Sequence, residues 1–285
     1  MPTDDVVLCT DLDRTVIPNG DQPESPQARV LLRRFAARPE STLVYVSGRD
    51  EGLLRDAIRD HDLPVPDFAI GDVGTTIYRV QGDDWQPMEA WSREIAPDWQ
   101  GMEGPDLAEL LRGVEGLRLQ EAEKQNDFKL SYYGPEDPRP EELLSEVRRR
   151  LQDNGVRANL IWSIDEQARC GLLDVLPASA NKRHAIEFLM RERGFGDRQT
   201  VFSGDSGNDL EVLVSSLQAV LVRNAPPEVR EEAERRVAES GEADRLYVAR
   251  GGFLGMNGNY AAGVLEGLAH YLPHTRAWLE SDSKA

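Results

Sequence analysis

The sequence predicts an α/β fold: a Rossmann-like, doubly wound parallel sheet with helices on both faces, interrupted by a smaller inserted α/β unit. Three observations predict it. Short apolar, β-prone runs alternate with helix-period patterns toward both ends of the chain. Two of these runs stop abruptly in carboxylates: residues 6–10 before Asp11-Leu12-Asp13, and residues 201–203 before Gly204-Asp205-Ser206-Gly207-Asn208-Asp209. Between them lies a β-rich stretch that carries its own helices and breaks the alternation.

Taken in order, residues 6–10 read as a strand, and Ala28, Leu31, Leu32 and Phe35 keep a helical period. Residues 43–46 are a second strand, Leu53, Leu54, Ala57 and Ile58 a second helix, and 68–70 a short third strand. Residues 75–80 and 85–88 flank Gly82-Asp83-Asp84, a hairpin signal. The middle reads as helix 106–111, strands 117–121 and 128–133, helix 141–151 stopped by Asn154-Gly155, and strands 158–164 and 170–176. After Pro177 the alternation returns with helix 182–191, strand 200–203, helix 210–214 and strand 219–222. Pro226-Pro227 opens another helix, 246–248 is a last strand and 261–272 a closing helix. The expected division is a core of residues 1–80 and 177–285 with an insert of 81–176. The tail after His274 is expected to be poorly anchored.

Composition narrows the function. The net charge is −18, from 33 Lys and Arg against 51 Asp and Glu, which disfavours nucleic acid as a partner. Lys124, Lys129, Lys182 and Lys284 are the only lysines. Such a surface suits high salt, and a biased genome composition explains it equally well. No stretch is apolar long enough to span a bilayer, and Met1-Pro2-Thr3-Asp4-Asp5 lacks the basic start of a secretory signal. Cys9 and Cys170 lack metal-like spacing, so buried thiols in a reducing cytoplasm are expected.

The carboxylate clusters carry the chemistry. Ligands of an open parallel sheet sit at the carboxyl ends of its strands, where two clusters distant in sequence can meet on one divalent cation. Mg²⁺ takes oxygen ligands, usually one or two carboxylates with water and substrate phosphate. Phosphoryl transfer needs that arrangement.

Four motifs stand in order: Asp11-Leu12-Asp13-Arg14-Thr15, Ser47-Gly48-Arg49 after an apolar run, Lys182 at a helix start, and Gly204-Asp205-Ser206-Gly207-Asn208-Asp209. Together they resemble the haloacid dehalogenase superfamily of phosphatases. The insert between the second and third motifs is typical of the branch acting on small sugar phosphates. Within it, Gln125-Asn126-Asp127-Phe128-Lys129-Leu130-Ser131-Tyr132, Ala180-Asn181-Lys182-Arg183, Arg223-Asn224-Ala225 and Ala262-Gly263-Val264-Leu265-Glu266-Gly267 are similar to the sucrose-phosphate phosphatase family. Two departures stand out: Arg14, where that family has a smaller residue, and a long glycine-rich loop over 251–259.

The resemblance implies a role for each residue. Asp11 is the nucleophile that forms an aspartyl-phosphate, and Asp13 the acid and base, with its backbone carbonyl on Mg²⁺. Asp205 is a metal ligand. Asp209 is a further ligand or, equally, a charge placed at a helix N-terminus. Ser47 and Gly48 cradle a phosphate oxygen, Lys182 neutralises the phosphoryl group, and Asn208 donates to phosphate or to Asp11. Arg49 reads as a structural or gate residue. Asn126, Lys129 and Ser131 in the insert are expected to contact the sugar, with a solvated face as the plain alternative. Trp85, Trp91 and Trp99 read as buried at the junction of insert and core rather than as a sugar platform.

The expected activity is hydrolysis of sucrose 6-phosphate. Mannosylfructose phosphate or glucosylglycerol phosphate is the neighbouring substrate. A sugar-phosphate synthase is a candidate partner, and the chain is expected to be a monomer or weak homodimer. Two readings belong to other classes. A response-regulator receiver clusters similar residues but has no room for the insert. A non-catalytic sugar-phosphate binder attached to a synthase is opposed by intact Asp11, Asp13, Lys182 and Asp205.

Overall fold

The computed structural model describes residues 5–165 and 168–280. The chain runs β1 (Val6–Thr10), α1 (Gln27–Ala36), β2 (Ser41–Val46), α2 (Glu51–Asp60), β3 (Phe68–Gly71), β4 (Thr76–Gln81) and β5 (Asp84–Pro87). Next come α3 (Glu89–Ile95), α4 (Gly104–Leu110), β6 (Arg118–Leu119), β7 (Leu130–Gly134), α5 (Glu141–Asp153), β8 (Ala158–Asp165) and β9 (Cys170–Pro177). The last part holds α6 (Lys182–Arg193), β10 (Thr200–Gly204), α7 (Leu210–Leu213), β11 (Gln218–Leu221), α8 (Pro227–Ser240), β12 (Leu246–Val248), α9 (Ala261–Tyr271) and α10 (Thr275–Glu280). Among the described residues no helix is long and apolar enough to cross a membrane.

The chain divides into two compact units, Met1–Pro87 with Ala185–Ala285, and Met88–His184. The first holds an eight-stranded sheet in the order β12-β11-β10-β1-β2-β3-β4-β5. From β12 to β3 all neighbours are parallel, and β4 and β5 close one edge antiparallel. Every residue of β1 is buried, as expected of a strand covered on both faces, which is why it reads as an unbroken apolar run. Helix α1 turns Ala28, Leu31, Leu32 and Phe35 inward, and α2 turns Leu54, Ala57 and Ile58. The Asp50 carboxylate caps α2 by accepting from the Leu53 amide at 2.9 Å.

The second unit is an antiparallel sheet, β6-β7-β9-β8, with its own core. Leu107, Val147 and Leu151 from α4 and α5 pack with Leu130, Tyr132, Leu173 and Val175 from the sheet.

Several expectations change. The hairpin strand Asp84–Pro87 extends the large sheet, so the division falls after Pro87 and not at residue 80. On the return the division falls inside α6, which places Lys182 with the smaller unit. Trp99 belongs to the smaller unit's own core, and Trp85 packs on Tyr78 in the larger unit with ring centroids 5.6 Å apart. The tail is anchored as far as Glu280. Trp278 stacks on Phe35 at 6.5 Å, the Arg38 guanidinium lies 4.6 Å over the Trp278 ring, and Leu279 is buried.

Candidate active site

Strand β1 pairs with β2 on one side and β10 on the other. From β1 the chain winds outward through β2 and β3, then returns to β10 and winds the opposite way. The gap between β1 and β10 is therefore the switch point, where the ends of two parallel strands leave a crevice. Asp11 follows the last residue of β1 and Asp205 the last residue of β10. The Asp11 amide donates to the Ser203 carbonyl at 2.9 Å, which fixes the register of the two turns.

Asp11, Asp205 and Asp209 are all buried, and each offers a carboxylate oxygen within 4.8 Å of the others. Burial pushes the Asp205 carboxyl up to about 6, and the Asp209 charge adds to this. Hydrogen bonds from Thr15 Oγ1 at 3.1 Å and Arg14 Nε at 3.3 Å only partly offset it. Three crowded oxygen donors with excess negative charge fit a hard divalent cation such as Mg²⁺.

This environment sets a pH dependence. Because Asp205 is held above its ordinary value, it favours folding when protonated, and that contribution is lost as pH rises through about 6. A cation held there would compensate the ionised form and compete with the proton. The rise in melting temperature on adding Mg²⁺ is therefore expected to grow from about pH 5 to about pH 6.5 and then level off. Thermal melts with and without Mg²⁺ across that range check it; an increment that shrinks as pH rises contradicts it.

Asp13 sits outside this group. Its carboxylate is bound on both oxygens by Arg49, with Nε at 2.8 Å and Nη2 at 2.7 Å, and accepts from Asn19 Nδ2 at 2.7 Å. Burial pushes its carboxyl up, but the Arg49 hydrogen bonds and charge, with Asn19, outweigh this and hold it below the usual range. Only the backbone carbonyl of Asp13 remains as the metal donor expected of it.

Asp209 serves the turn as well as the cluster. Its Oδ2 accepts from the amides of Asp205 at 3.1 Å and Ser206 at 3.2 Å, and so stiffens the loop after β10. A Cβ on Gly204 would lie 2.6 Å from the Asp209 carboxyl carbon, so a residue without a side chain is required there. Asn208 is exposed and accepts from Ser206 Oγ at 2.8 Å. Ser47 is buried, with its hydroxyl accepting from the Arg49 amide at 3.2 Å, while Gly48 is exposed. Lys182 is buried at the start of α6.

In the smaller unit, Asn126 and Lys129 pair by backbone bonds of 3.1 and 3.3 Å, and Lys129 is 9 % exposed. The Ser131 hydroxyl, expected to face a sugar, donates to Asp174 Oδ1 at 2.5 Å. Asp174 was signalled in the sequence only as a single acid inside an apolar strand.

The chain matches the sucrose-6F-phosphate phosphohydrolase family over residues 4–272. It belongs to that family. It is accordingly a phosphatase of the haloacid dehalogenase type, a phosphoric monoester hydrolase acting on sugar phosphates. It is 58% identical, over 97% of this chain and 74% of the relative, to a putative HAD-like hydrolase of Nitrosococcus oceani. The mannosylfructose-phosphate phosphatase of Agrobacterium fabrum is 27% identical over 93% of this chain and 96% of its own. Among solved structures, the sucrose-phosphatase from Synechocystis in complex with sucrose and phosphate aligns at a TM-score of 0.67 and 28% identity, over 93% of this chain and 97% of that one.

In this phosphatase the glycine-rich loop after β12 is tied to the first motif. Buried Glu266 on α9 accepts from the amides of Arg250 and Gly251 at 2.8 and 2.9 Å and from Tyr247 Oη at 2.8 Å. Asn224 then bridges outward: its Oδ1 accepts from the Tyr260 amide at 2.7 Å, and its Nδ2 donates to the Arg14 carbonyl at 2.6 Å. Asn224 and Thr15 lay within motifs that the sequence marked, but no pattern there assigned them these partners.

Proposed function

We propose that the chain hydrolyses sucrose 6-phosphate to sucrose and phosphate, using Asp11 as the nucleophile. The observation that carries this reading is the buried Asp11–Asp205–Asp209 group at the β1/β10 switch point of a family member. An Asp11 oxygen attacks phosphorus, the bond from phosphorus to the sugar oxygen breaks, and Asp13 gives that oxygen a proton. Water then attacks the phosphoaspartate, the Asp11–phosphorus bond breaks and phosphate leaves, with Asp13 taking the water's proton. To handle a proton Asp13 must leave the guanidinium of Arg49, so Arg49 acts as a positioning residue. Asp11, Asp205, Asp209 and the Asp13 carbonyl are the proposed Mg²⁺ ligands; bound there, Mg²⁺ lessens repulsion between the carboxylate and the phosphate dianion. Ser47, Gly48, Lys182 and Asn208 are proposed to hold the phosphoryl oxygens.

The partner class proposed is a sugar-phosphate synthase, whose product this reaction consumes. The free thiols Cys9 and Cys170, the former pushed up to about 12 by burial, suit a reducing cytoplasm.

Phosphate release with Mg²⁺ from sucrose 6-phosphate, mannosylfructose phosphate and glucosylglycerol phosphate tests the reading. The highest kcat/KM is expected for sucrose 6-phosphate. The Agrobacterium relative makes mannosylfructose phosphate the alternative, and a tenfold or greater preference for it overturns the sucrose reading.

We assign choice of sugar to the insert, where Lys129 is buried two residues before Ser131, whose hydroxyl bonds Asp174 between β7 and β9. Lys129→Ala is expected to lower kcat/KM for the disaccharide phosphate by about ten- to a hundredfold and to leave an aryl phosphate nearly unchanged. Equal losses on both substrates contradict a specificity role.

A further inference from the structure

Both carboxylate oxygens of Asp205 accept from donors of the chain itself. Thr15 Oγ1 reaches Oδ1 at 3.1 Å, and Arg14 Nε reaches Oδ2 at 3.3 Å. The two donors differ in their surroundings. Thr15 is fully buried and belongs to the packed floor of the site. The Arg14 side chain is 42% exposed, against 2% for Asp205. Its guanidinium therefore reaches in from solvent, and can return there without being left buried and unpaired.

The contact is also loose. Arg14 gives Asp205 one nitrogen at 3.3 Å, whereas Arg49 grips Asp13 with two, at 2.8 and 2.7 Å. The backbone of Arg14, by contrast, is held on both sides. Its amide donates to Asn19 Oδ1 at 2.7 Å, and its carbonyl accepts from Asn224 Nδ2 at 2.6 Å. A movable positive charge is thus anchored beside the three crowded carboxylates of Asp11, Asp205 and Asp209. There it offsets part of their mutual repulsion.

We propose that Arg14 is a tethered competitor of the divalent cation: it holds Asp205 Oδ2, must give that oxygen up to the ion, and so lowers the site's affinity for it. This rests on the phosphatase reading, in which Asp205 is a metal ligand. Arg14 acts through Asp205 and is a positioning residue. The guanidinium and the ion perform one task in turn, which is to steady the buried carboxylates.

Isothermal titration of the whole chain with Mg²⁺ alone tests this, together with thermal melts of the same preparations. Arg14→Met keeps most of the stem and removes the charge. It is expected to tighten Mg²⁺ binding about three- to tenfold, the range of one partly exposed, charge-assisted contact. Without Mg²⁺ it should melt below the unaltered chain, and at saturating Mg²⁺ that gap should close. Arg14→Lys keeps the charge and should bind Mg²⁺ within about twofold of the unaltered chain. If Arg14→Met does not fold by circular dichroism, Arg14→Gln replaces it with the same expectation. Unchanged or weaker Mg²⁺ binding in the folded uncharged variant overturns the proposal. So does a melting gap of equal size with and without Mg²⁺, which marks a purely structural contact. Asp205→Asn separates this failure from that of the underlying reading, and should weaken Mg²⁺ at least about tenfold. If it binds Mg²⁺ as tightly as the unaltered chain, Asp205 is not a ligand, and the metal reading falls together with the proposal.

Discussion

Asp11→Asn is expected to lower turnover by roughly four orders of magnitude or more while the chain stays folded and still binds sugar phosphate. The amide has nearly the shape of the carboxylate, so the buried end of β1 keeps its packing, but its oxygen is a poor nucleophile toward phosphorus. Stability supplies an internal control. Asp11 is one of three buried carboxylates whose oxygens crowd within 4.8 Å, so removing its charge relieves repulsion. The melting temperature without Mg²⁺ is therefore expected to hold or rise as activity disappears. Loss of activity through misfolding would instead lower both. Phosphate release and a thermal melt on the same preparation separate the outcomes.

The second large effect concerns the packing behind the site. Helix α9 crosses β11 at Gly267, where an added Cβ would lie 2.2 Å from a methyl of Val220. Val220 is fully buried in a strand held on both sides by β10 and β12. One turn earlier, a Cβ on Gly263 would meet the Gly258 carbonyl at 2.2 Å. The two glycines thus let one helix face approach both sheet and loop. Gly267→Ala cannot be absorbed by rotating a flexible side chain, because the obstacle is a β-branched residue in a buried strand paired on both sides. A destabilisation of about 3 kcal/mol is expected, lowering the melting temperature by about 6–12 °C. A loss of less than about 1 kcal/mol would show that α9 slides away at little cost.

Much of the larger sheet was legible because its central strands are buried on both faces. Residues 6–10 and 200–204 are apolar runs that end in acids, and a parallel sheet puts such ends together. The partners of those acids were not legible. Asp11 and Asp13 are two residues apart, but the first joins Asp205 and Asp209 while the second is held by Arg49. Nothing in the residue types separates the two acids; the chain turns directly after them at Arg14, whose φ is 57°. Short elements were also hidden. Helix α10 has six residues and follows Pro273, so its anchors Trp278 and Leu279 give too little period to show. Helix α3 buries only Trp91 and Ile95. Strand β5 alternates polar residues around Trp85 and carries no sign of which sheet it extends. Leu53 fits the helical period of α2 but is 43% exposed, since the period marks a stripe and not its edge.

The proposed chemistry places a phosphoryl group on one side chain, and rapid-quench trapping tests this most directly. Enzyme, Mg²⁺ and sucrose 6-phosphate are mixed, stopped in acid within a turnover, and the digested chain is analysed by mass spectrometry. The predicted result is a peptide heavier by one phosphoryl group, with the modification on Asp11 and absent from the Asp11→Asn chain. Steady phosphate release with no modified peptide, or with the phosphoryl group on another residue, would contradict Asp11 as the nucleophile.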